Sequence, residues 1–233
     1  MDDFFKEFNE IDWRTQWTYS SLRGFDGFWR ETEKLVAVAA DATERLNRPD
    51  WKPKDDEEYA EYRSLIRAVR HQHDEVITPT FRYAVVVTLF AILERELRRA
   101  ADYIAAETKV AINYKGQKGS VIPLVAQFIK MRKGISIQDL PGYGDIVDLQ
   151  KVRDCIVHCY GDIALSRDHA LLKKLSTPAR GLDAYPGTEM EIAPAFIERS
   201  MNAHVKFFTA LFKKLGWKIN AEWLVKRKPT PAK

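Results

Sequence analysis

The run "YAVVVTLFAIL" at residues 83–93 is the longest apolar stretch of the chain, and it continues directly into the charged segment "ERELRRA". A run of this length is too short to cross a bilayer. Thr78 and Pro79 stand before it, and these residue types commonly cap and start helices. The pattern predicts a helix from Thr78 to about residue 107. Its first half is apolar on nearly every face, so it should lie in the centre of the core.

The rest of the chain also carries a helical pattern. From residue 25 onward apolar residues recur with a spacing near 3.6, and few segments alternate as strands do. We expect an all-α helical bundle, with room for one short strand or hairpin near residues 181–192. Pro49 should stop the first helix, and Pro123 should break the fourth. The other predicted helices cover residues 25–47, 55–77, 120–134, about 145–160, 165–175 and 194–215.

Length and charge limit the classes of protein that fit. A chain of 233 residues can bury a full core, and no low-complexity block or linker divides it, so we expect a single domain over residues 1–233. The formal net charge of +4 permits a nucleic-acid partner without predicting one. The basic tail at residues 226–233 carries two prolines and no large apolar side chain, which is typical of a disordered, solvated end.

The cysteines and the first residues bear on location. Cys155 and Cys159 lie four residues apart on one predicted helix, a geometry that argues against a mutual disulfide and favours reduced thiols. The acidic start "MDDFFKEFNEIDW" lacks the basic and apolar regions of a signal peptide. We expect a cytoplasmic protein with no membrane partner.

The segment "LQKVRDCIVHCYGDI" at residues 149–163 concentrates residue types that do chemistry. On a helix, Arg153 and Tyr160 share one flank, while Asp154 and His158 lie one turn apart on the far side. The Asp154 carboxylate can then reach His158, hold one ring nitrogen and raise the basicity of the imidazole. The remaining apolar positions form one packed seam: Leu149, Val152, Ile156, Cys159 and Ile163.

Simpler interpretations of this segment stay open. Arg and Asp on a helix surface are normally solvated, and an isolated surface His usually has no function. A metal site built from Cys155, His158 and Cys159 lacks the distant second pair of ligands that zinc sites usually have. We expect no metal and no cofactor.

The stretch "RDCIVHCY" resembles the signature of HEPN-domain ribonucleases, an all-helical family: an Arg, a polar residue, three other residues and a His. Arg153, Asp154 and His158 fit these positions. Tyr160 completes the extended Arg-x4-His-x-Tyr form of HEPN toxins that are paired with nucleotidyltransferase antitoxins.

The resemblance covers residues from about 80 to 215, and it leaves residues from about 1 to 77 as an N-terminal helical extension. "VVTLFAILERELRRA" is similar to the earlier long helix of the family, which carries a Glu followed three residues later by an apolar residue, here Glu94 and Leu97. Two roles are open for Glu94: it helps to position the motif, or it pairs with Arg98 four residues later.

The bare spacing of Arg and His occurs twice more, so the spacing alone is weak support. Ala68 and Ser200 follow the arginines of these rival pairs, where the family prefers Asn, Asp or His. His204 falls on an apolar stripe, which predicts a core position. "HQHDE" at residues 71–75 has a spacing that is poor for chelation, and we assign it to a solvated face. The rival pairs are Arg67 with His73 and Arg199 with His204.

The resemblance implies metal-independent RNA cleavage at a homodimer interface, where the 2′-hydroxyl attacks and a 2′,3′-cyclic phosphate is left. In that mechanism His158 moves a proton and Arg153 stabilises negative charge. A toxin or phage-defence role is implied, and by analogy an antitoxin or regulatory partner. Two alternatives remain: a non-catalytic HEPN-like dimer that binds a nucleotide, RNA or a protein, and a helical scaffold whose motif is a chance match.

Overall fold

A computed structural model describes residues 11–45, 52–115, 120–184 and 189–219. Within them the fold is all-α with one small antiparallel hairpin, as predicted. The predicted tail at 226–233 and the end of the first predicted helix, residues 46 and 47, lie outside the described residues. The elements are α1 Trp13–Arg45, α2 Asp56–His71, α3 Thr78–Thr108, α4 Ile122–Lys133, α5 Tyr143–Cys159, α6 His169–Leu175, β1 Leu182–Asp183, β2 Glu191–Ile192 and α7 Pro194–Leu215.

Helix α3 is the central element, as its apolar sequence predicts. It packs against α1, α4, α5 and α7. Its buried side chains point in several directions because helices surround most of its length. Those without any exposed surface include Val86, Leu89, Leu93, Ala101 and Ile104.

Helix α3 begins at Thr78, as predicted, but Thr78 does not cap it, since its hydroxyl has no hydrogen-bond partner within the described residues. Helices α2 and α3 are joined without interruption by a π-helical turn, Gln72–Ile77, in which the Thr78 amide donates to the His73 carbonyl. The wider π turn shifts the hydrogen-bond register just before Pro79, whose ring has no N–H to donate and would collide with a carbonyl in a regular α-helix. Pro79 therefore lies in the first turn of α3, as predicted, but this helix continues from α2 through the π turn and is not separated from it by a loop.

Helix α1 begins at Trp13, earlier than the predicted residue 25. Asp12 supports this start, because its carboxylate accepts the Arg14 amide at 3.1 Å. The missed first turns carry an apolar stripe at spacings of three and four that polar neighbours obscure in the sequence. The stripe joins the same core as α3 and α7 through Tyr19, Leu22, Phe25 and Trp29.

The remaining element boundaries agree with the sequence prediction in part. Pro123 lies in the first turn of α4 and does not break it, since an N–H is not needed there. Helix α6 is shorter than predicted, because a 3₁₀ turn at Ile163–Leu165 and a loop precede it. The hairpin pairs Leu182 with Ile192 inside the predicted range, and α7 has the predicted bounds.

The continuous helix from Asp56 to Thr108 contains a stretch that could cross a membrane by length and composition, as far as the described residues show. About a third of that stretch, 33%, is buried inside the protein. Core helices of soluble proteins have the same composition, so this property is weak evidence for a membrane span.

Candidate functional site

Helix α5 holds the motif by an apolar face that packs into the core. Leu149 and Val152 have no exposed surface, and Ile156 is 7% exposed. Cys155 is fully buried as well, whereas Cys159, which the sequence places in the seam, is only partly buried. Burial raises the pKa of the Cys155 thiol to about 11, with a smaller contribution from Cys159. Both thiols are free, and Cys155 is an apolar filler of the core.

Arg153 reaches from α5 across the surface of α3. Its guanidinium lies over the ring of Phe90, 5.5 Å from the ring centroid. The Nη1 atom donates to Asp154 Oδ1 at 2.9 Å. Its Nε is buried and has no hydrogen-bond partner among the described residues. The Phe90 ring and the Asp154 carboxylate together hold the guanidinium in place, and the buried Nε–H group of Arg153 is left without a hydrogen bond.

Asp154 does not hold His158 as the i, i+4 spacing predicts. Its recorded partner is Arg153, the residue directly before it. The guanidinium is always charged and offers several donors in a planar group, so it is a strong partner for a carboxylate. The predicted aspartate–histidine pair is therefore replaced by an arginine–aspartate pair, and His158 is exposed.

Asp154 and His158 do share a cleft of about 790 Å³. Two cations lie in its wall, Lys151 and Arg167, and Lys151 is bonded to Asp168 at 2.9 Å. Arg153 does not line this cleft and meets it only through Asp154. The lining residues are Lys151, Asp154, His158, Cys159, Leu165, Ser166, Arg167 and Asp168.

The position of Lys151 in the cleft could have been predicted from the sequence. Lys151, Asp154 and His158 are spaced by three and four residues, so they share one helical face. Arg167 comes from the loop before α6, and no helical spacing links that loop to α5. Its position depends on how the chain turns after the motif.

Tyr160 ends the motif helix in a left-handed conformation, with φ of 54°. Its amide donates back to the carbonyl of Cys155, and its side chain is 69% exposed. Gly161 follows at φ of 85°, where a Cβ would overlap the hydroxyl of Tyr83. The C-terminal cap thus keeps the Tyr160 phenol in solvent at the edge of α5.

Glu94 makes a contact that neither of its two expected roles describes. Its carboxylate accepts the amide of Val121 at 3.1 Å, just before α4 begins. Arg98 lies over the ring of Tyr114 at 5.4 Å and has no ion pair with Glu94 within the described ranges. Glu94 therefore caps a neighbouring helix, as acidic groups at helix N-termini commonly do.

The two rival histidines have structural roles. His204 is fully buried in α7, as predicted, and its Nδ1 donates to the Ser200 carbonyl at 2.6 Å. The solvated face predicted for residues 71–75 is wrong for His73, which is 7% exposed and contacts the Val36 carbonyl at 3.0 Å. The π turn rotates this side chain toward α1. His71 remains exposed, beside Glu75.

A carboxylate that the sequence does not single out is the most enclosed acidic group of the core. Glu96 has no exposed surface and pairs with Arg95 and Arg99. Its neighbours "ERELRRA" read as a solvated charge run in the sequence. Its burial could have been predicted from its position on the α3 face that also carries Leu93 and Ala100, because both of these residues are buried.

Neither a search for metal ligands nor comparison with known proteins assigns a function to this site. No group of three or more His, Cys, Asp or Glu side chains within the described ranges could hold a metal ion. Comparison with protein-family models, curated proteins and solved structures finds no match to this chain. The HEPN resemblance therefore stays a hypothesis that depends on the residues of the motif.

Proposed function

We propose that this protein is a metal-independent endoribonuclease of the HEPN type, which acts as a homodimer in the cytoplasm. The observation that carries the proposal is the cleft beside α5, which is lined by the exposed His158, by two cations, and by Asp154, the hydrogen-bond partner of Arg153. Lys151 and Arg167 can contact phosphates, although Asp154 and Asp168 balance their charge in the same lining, and an exposed imidazole can exchange protons with bound RNA.

The proposed chemistry uses the 2′-hydroxyl of RNA as the nucleophile. His158 of one protomer accepts its proton, and the same residue of the second protomer protonates the leaving 5′-oxygen. The P–O5′ bond breaks as the new P–O2′ bond forms, which leaves a 2′,3′-cyclic phosphate. Arg153 stabilises the negative charge that develops on phosphorus oxygens, after its guanidinium moves from Asp154 toward the phosphate.

Dimerisation brings the two copies of the motif together in this proposal. Val157 on α5 and Tyr160 directly after this helix are exposed, at 46% and 69%, on either side of His158 in the sequence. A second copy that packs on this face would cover Val157 and place a second histidine nearby. A toxin or phage-defence role, with an antitoxin or regulatory partner, fits such an activity.

One observation favours the second candidate, a non-catalytic dimer that binds a nucleotide, RNA or a protein. Arg153 is engaged by Asp154 and Phe90, so the fold itself accounts for its presence. In a binding module the same cations would hold phosphates without a proton-transfer step. Replacing His158 would then leave the function intact.

Cleavage of total RNA by the purified protein in EDTA tests the proposal. The wild type is expected to produce fragments with 2′,3′-cyclic phosphate ends. Arg153→Ala and His158→Ala should each lower the rate by about 100-fold or more, because each removes a charge-stabilising or proton-transfer group. His71→Ala is the matched control, since His71 is 63% exposed in its side chain and lies on another helix.

Circular dichroism and light scattering must show that the variants remain folded and dimeric. Cleavage that persists in His158→Ala would exclude the proposed mechanism and support the binding module. Cleavage that requires a divalent metal would contradict it as well.

A further inference from the structure

A second charged cluster lies between α1 and α3, centred on the buried carboxylate of Glu96. One carboxylate oxygen accepts from Ser21 Oγ at 3.0 Å and Arg95 Nε at 2.9 Å. The other accepts from Thr18 Oγ1 at 3.1 Å and Arg99 Nη1 at 2.9 Å. The Glu96 carboxylate has no exposed surface, and these groups surround it; the single hydroxyl hydrogen of Ser21 is shared with the Trp17 carbonyl oxygen at 2.9 Å.

These bonds orient two arginine side chains at the surface. Arg95 also donates from Nη2 to Ser21 Oγ at 2.8 Å, so its planar group is held at two points. The side chains of Arg95 and Arg99 are 54% and 33% exposed. Arg95 Nη1 and Arg99 Nη2 have no hydrogen-bond partner in the described part of the chain, and they remain as donors for an anion.

An exposed aromatic ring stands beside these arginines. Trp17 is 51% exposed, and the Arg99 guanidinium lies 5.9 Å from its ring centroid. The ring of Trp13 is 6.3 Å from that of Trp17 and lengthens the aromatic surface along α1. The exposed indole of Trp17 offers a large flat face on which a planar partner can stack.

We propose that Trp17, Arg95 and Arg99, here called the Trp17 patch, bind a single-stranded RNA segment. A base stacks on the Trp17 indole, and the neighbouring phosphate lies against the Arg95 and Arg99 guanidiniums. An aromatic platform next to fixed cations suits a ligand that combines a flat ring with an anion, which each nucleotide supplies. The proposal rests on the proposed function only in naming RNA as the ligand.

The patch differs from the cleft beside α5 in its residues and its elements. The cleft is built by α5 and the loop before α6, whereas the patch is built by α1 and α3. In the proposed ribonuclease the patch would hold RNA that flanks the cleaved bond. Binding there needs no 2′-hydroxyl chemistry.

Binding is measured by fluorescence anisotropy with a labelled 2′-O-methyl oligouridine of about 12 nucleotides, which is within the range that one single-strand binding site covers and cannot be cleaved by 2′-hydroxyl attack. The full-length wild type is expected to bind it in EDTA. Trp17→Ala should weaken binding by about 5- to 100-fold, the usual effect of losing one stacked base. Trp17→Phe keeps an aromatic face and should retain most of the affinity.

The arginines are tested by the salt dependence of the same binding. Arg95→Gln and Arg99→Gln should each weaken binding and reduce the slope of log affinity against log salt by about 0.7, the value for one phosphate contact on a single strand. Arg99→Lys retains the charge beside Glu96 and reports whether a loss in Arg99→Gln comes from misfolding. Thermal unfolding of every variant accompanies the titrations.

Two matched controls lie elsewhere on the surface. Phe28→Ala removes another exposed aromatic ring of α1, which is 57% exposed. Arg63→Gln removes an arginine that lies over an aromatic ring in the same way, 5.7 Å from the centroid of Tyr59. Neither substitution should change the affinity for the oligonucleotide.

A wild type that does not bind the probe at low salt would overturn the proposal. Binding that is equal in Trp17→Ala and wild type would do the same. Self-association that Trp17→Ala abolishes, without any oligonucleotide binding, would identify the patch as a protein interface instead. Failure of the ribonuclease proposal is distinct, because it would remove cleavage of total RNA and leave binding of the uncleavable probe unchanged.

Discussion

At the scale of single residues, Asp154 joins the two halves of the motif. It bonds Arg153 on one side and lines the cleft with His158 on the other. A helical spacing of four suggested a different pair, Asp154 with His158. The structure favours the arginine because its long side chain can fold back along the helix surface and bring several charged donors to the carboxylate.

His204 should make stability depend on pH. Burial lowers its pKa from the ordinary 6.5 to about 4, although the bond to the Ser200 carbonyl acts in the opposite direction. Between these values the unfolded chain binds a proton that the folded protein does not, so the free energy of unfolding falls as the pH drops. We expect a loss of about 2–3 kcal/mol from this residue between pH 7 and pH 4.5.

Urea unfolding at several pH values measures this effect. His204→Gln cannot titrate in that range, and its free energy of unfolding should fall by correspondingly less than that of the wild type. His169→Gln, at an exposed histidine of α6, is the control and should follow the wild type. Equal pH slopes for His204→Gln and the wild type would show that His204 is accessible to protons in the folded state.

At the scale of elements, a glycine with positive φ lies at each end of α5, where the backbone approaches a neighbouring helix closely. A Cβ at Gly142 would overlap the Ala203 carbonyl oxygen of α7, and one at Gly161 would overlap the Tyr83 side chain of α3. Tyr83 in turn donates its hydroxyl to the Met190 carbonyl at 2.7 Å. These close approaches set the position of the motif helix against its neighbours.

Gly161→Ala should destabilise the protein more than the same change at an open glycine. Gly134 is the matched control, since it also has positive φ, 68°, but no atom lies within 4 Å of the position that a Cβ would take there. We expect about 1 kcal/mol for Gly134→Ala from backbone strain alone and roughly 2–4 kcal/mol for Gly161→Ala. Chemical denaturation measures both, and equal losses would show that Tyr83 moves away without cost.

Several element boundaries were readable from local signals, and others were not. The start of α7 at Pro194 and its end before Gly216 follow from residue types that act within one turn. The joining of α2 to α3 did not follow, because a π turn has no sequence signature of comparable strength. The early start of α1 was hidden because its apolar stripe becomes visible only against α3 and α7.

At the scale of the whole molecule, one core extends from α1 to α7 and leaves the outer face of α5 in solvent. Val157 on that face is 46% exposed. The proposed homodimer would bury it, since the two copies of His158 must approach each other across a two-fold axis. Exposed apolar side chains also occur on α1, where Val38 is 63% exposed.

Val157→Asp should therefore disrupt the dimer and abolish RNA cleavage while the monomer stays folded. A charge at the centre of an apolar contact costs several kcal/mol of association free energy because it loses water without gaining a partner. Analytical ultracentrifugation over a range of protein concentrations measures the effect. Val38→Asp is the control, and a dimer that survives Val157→Asp would place the interface on another face.

The sequence by itself determined the all-α class, the central apolar helix, a short strand or hairpin near residues 181–192 and the buried position of His204. These follow from periodicity and from turn residues, which act over a few neighbouring positions. Only the tertiary structure decided that Asp154 pairs with Arg153, that Glu94 caps α4 and that Glu96 orients two arginines toward the surface. Such contacts depend on which helices pack together and at what distance, and side chains far apart in the chain compete for the same partners.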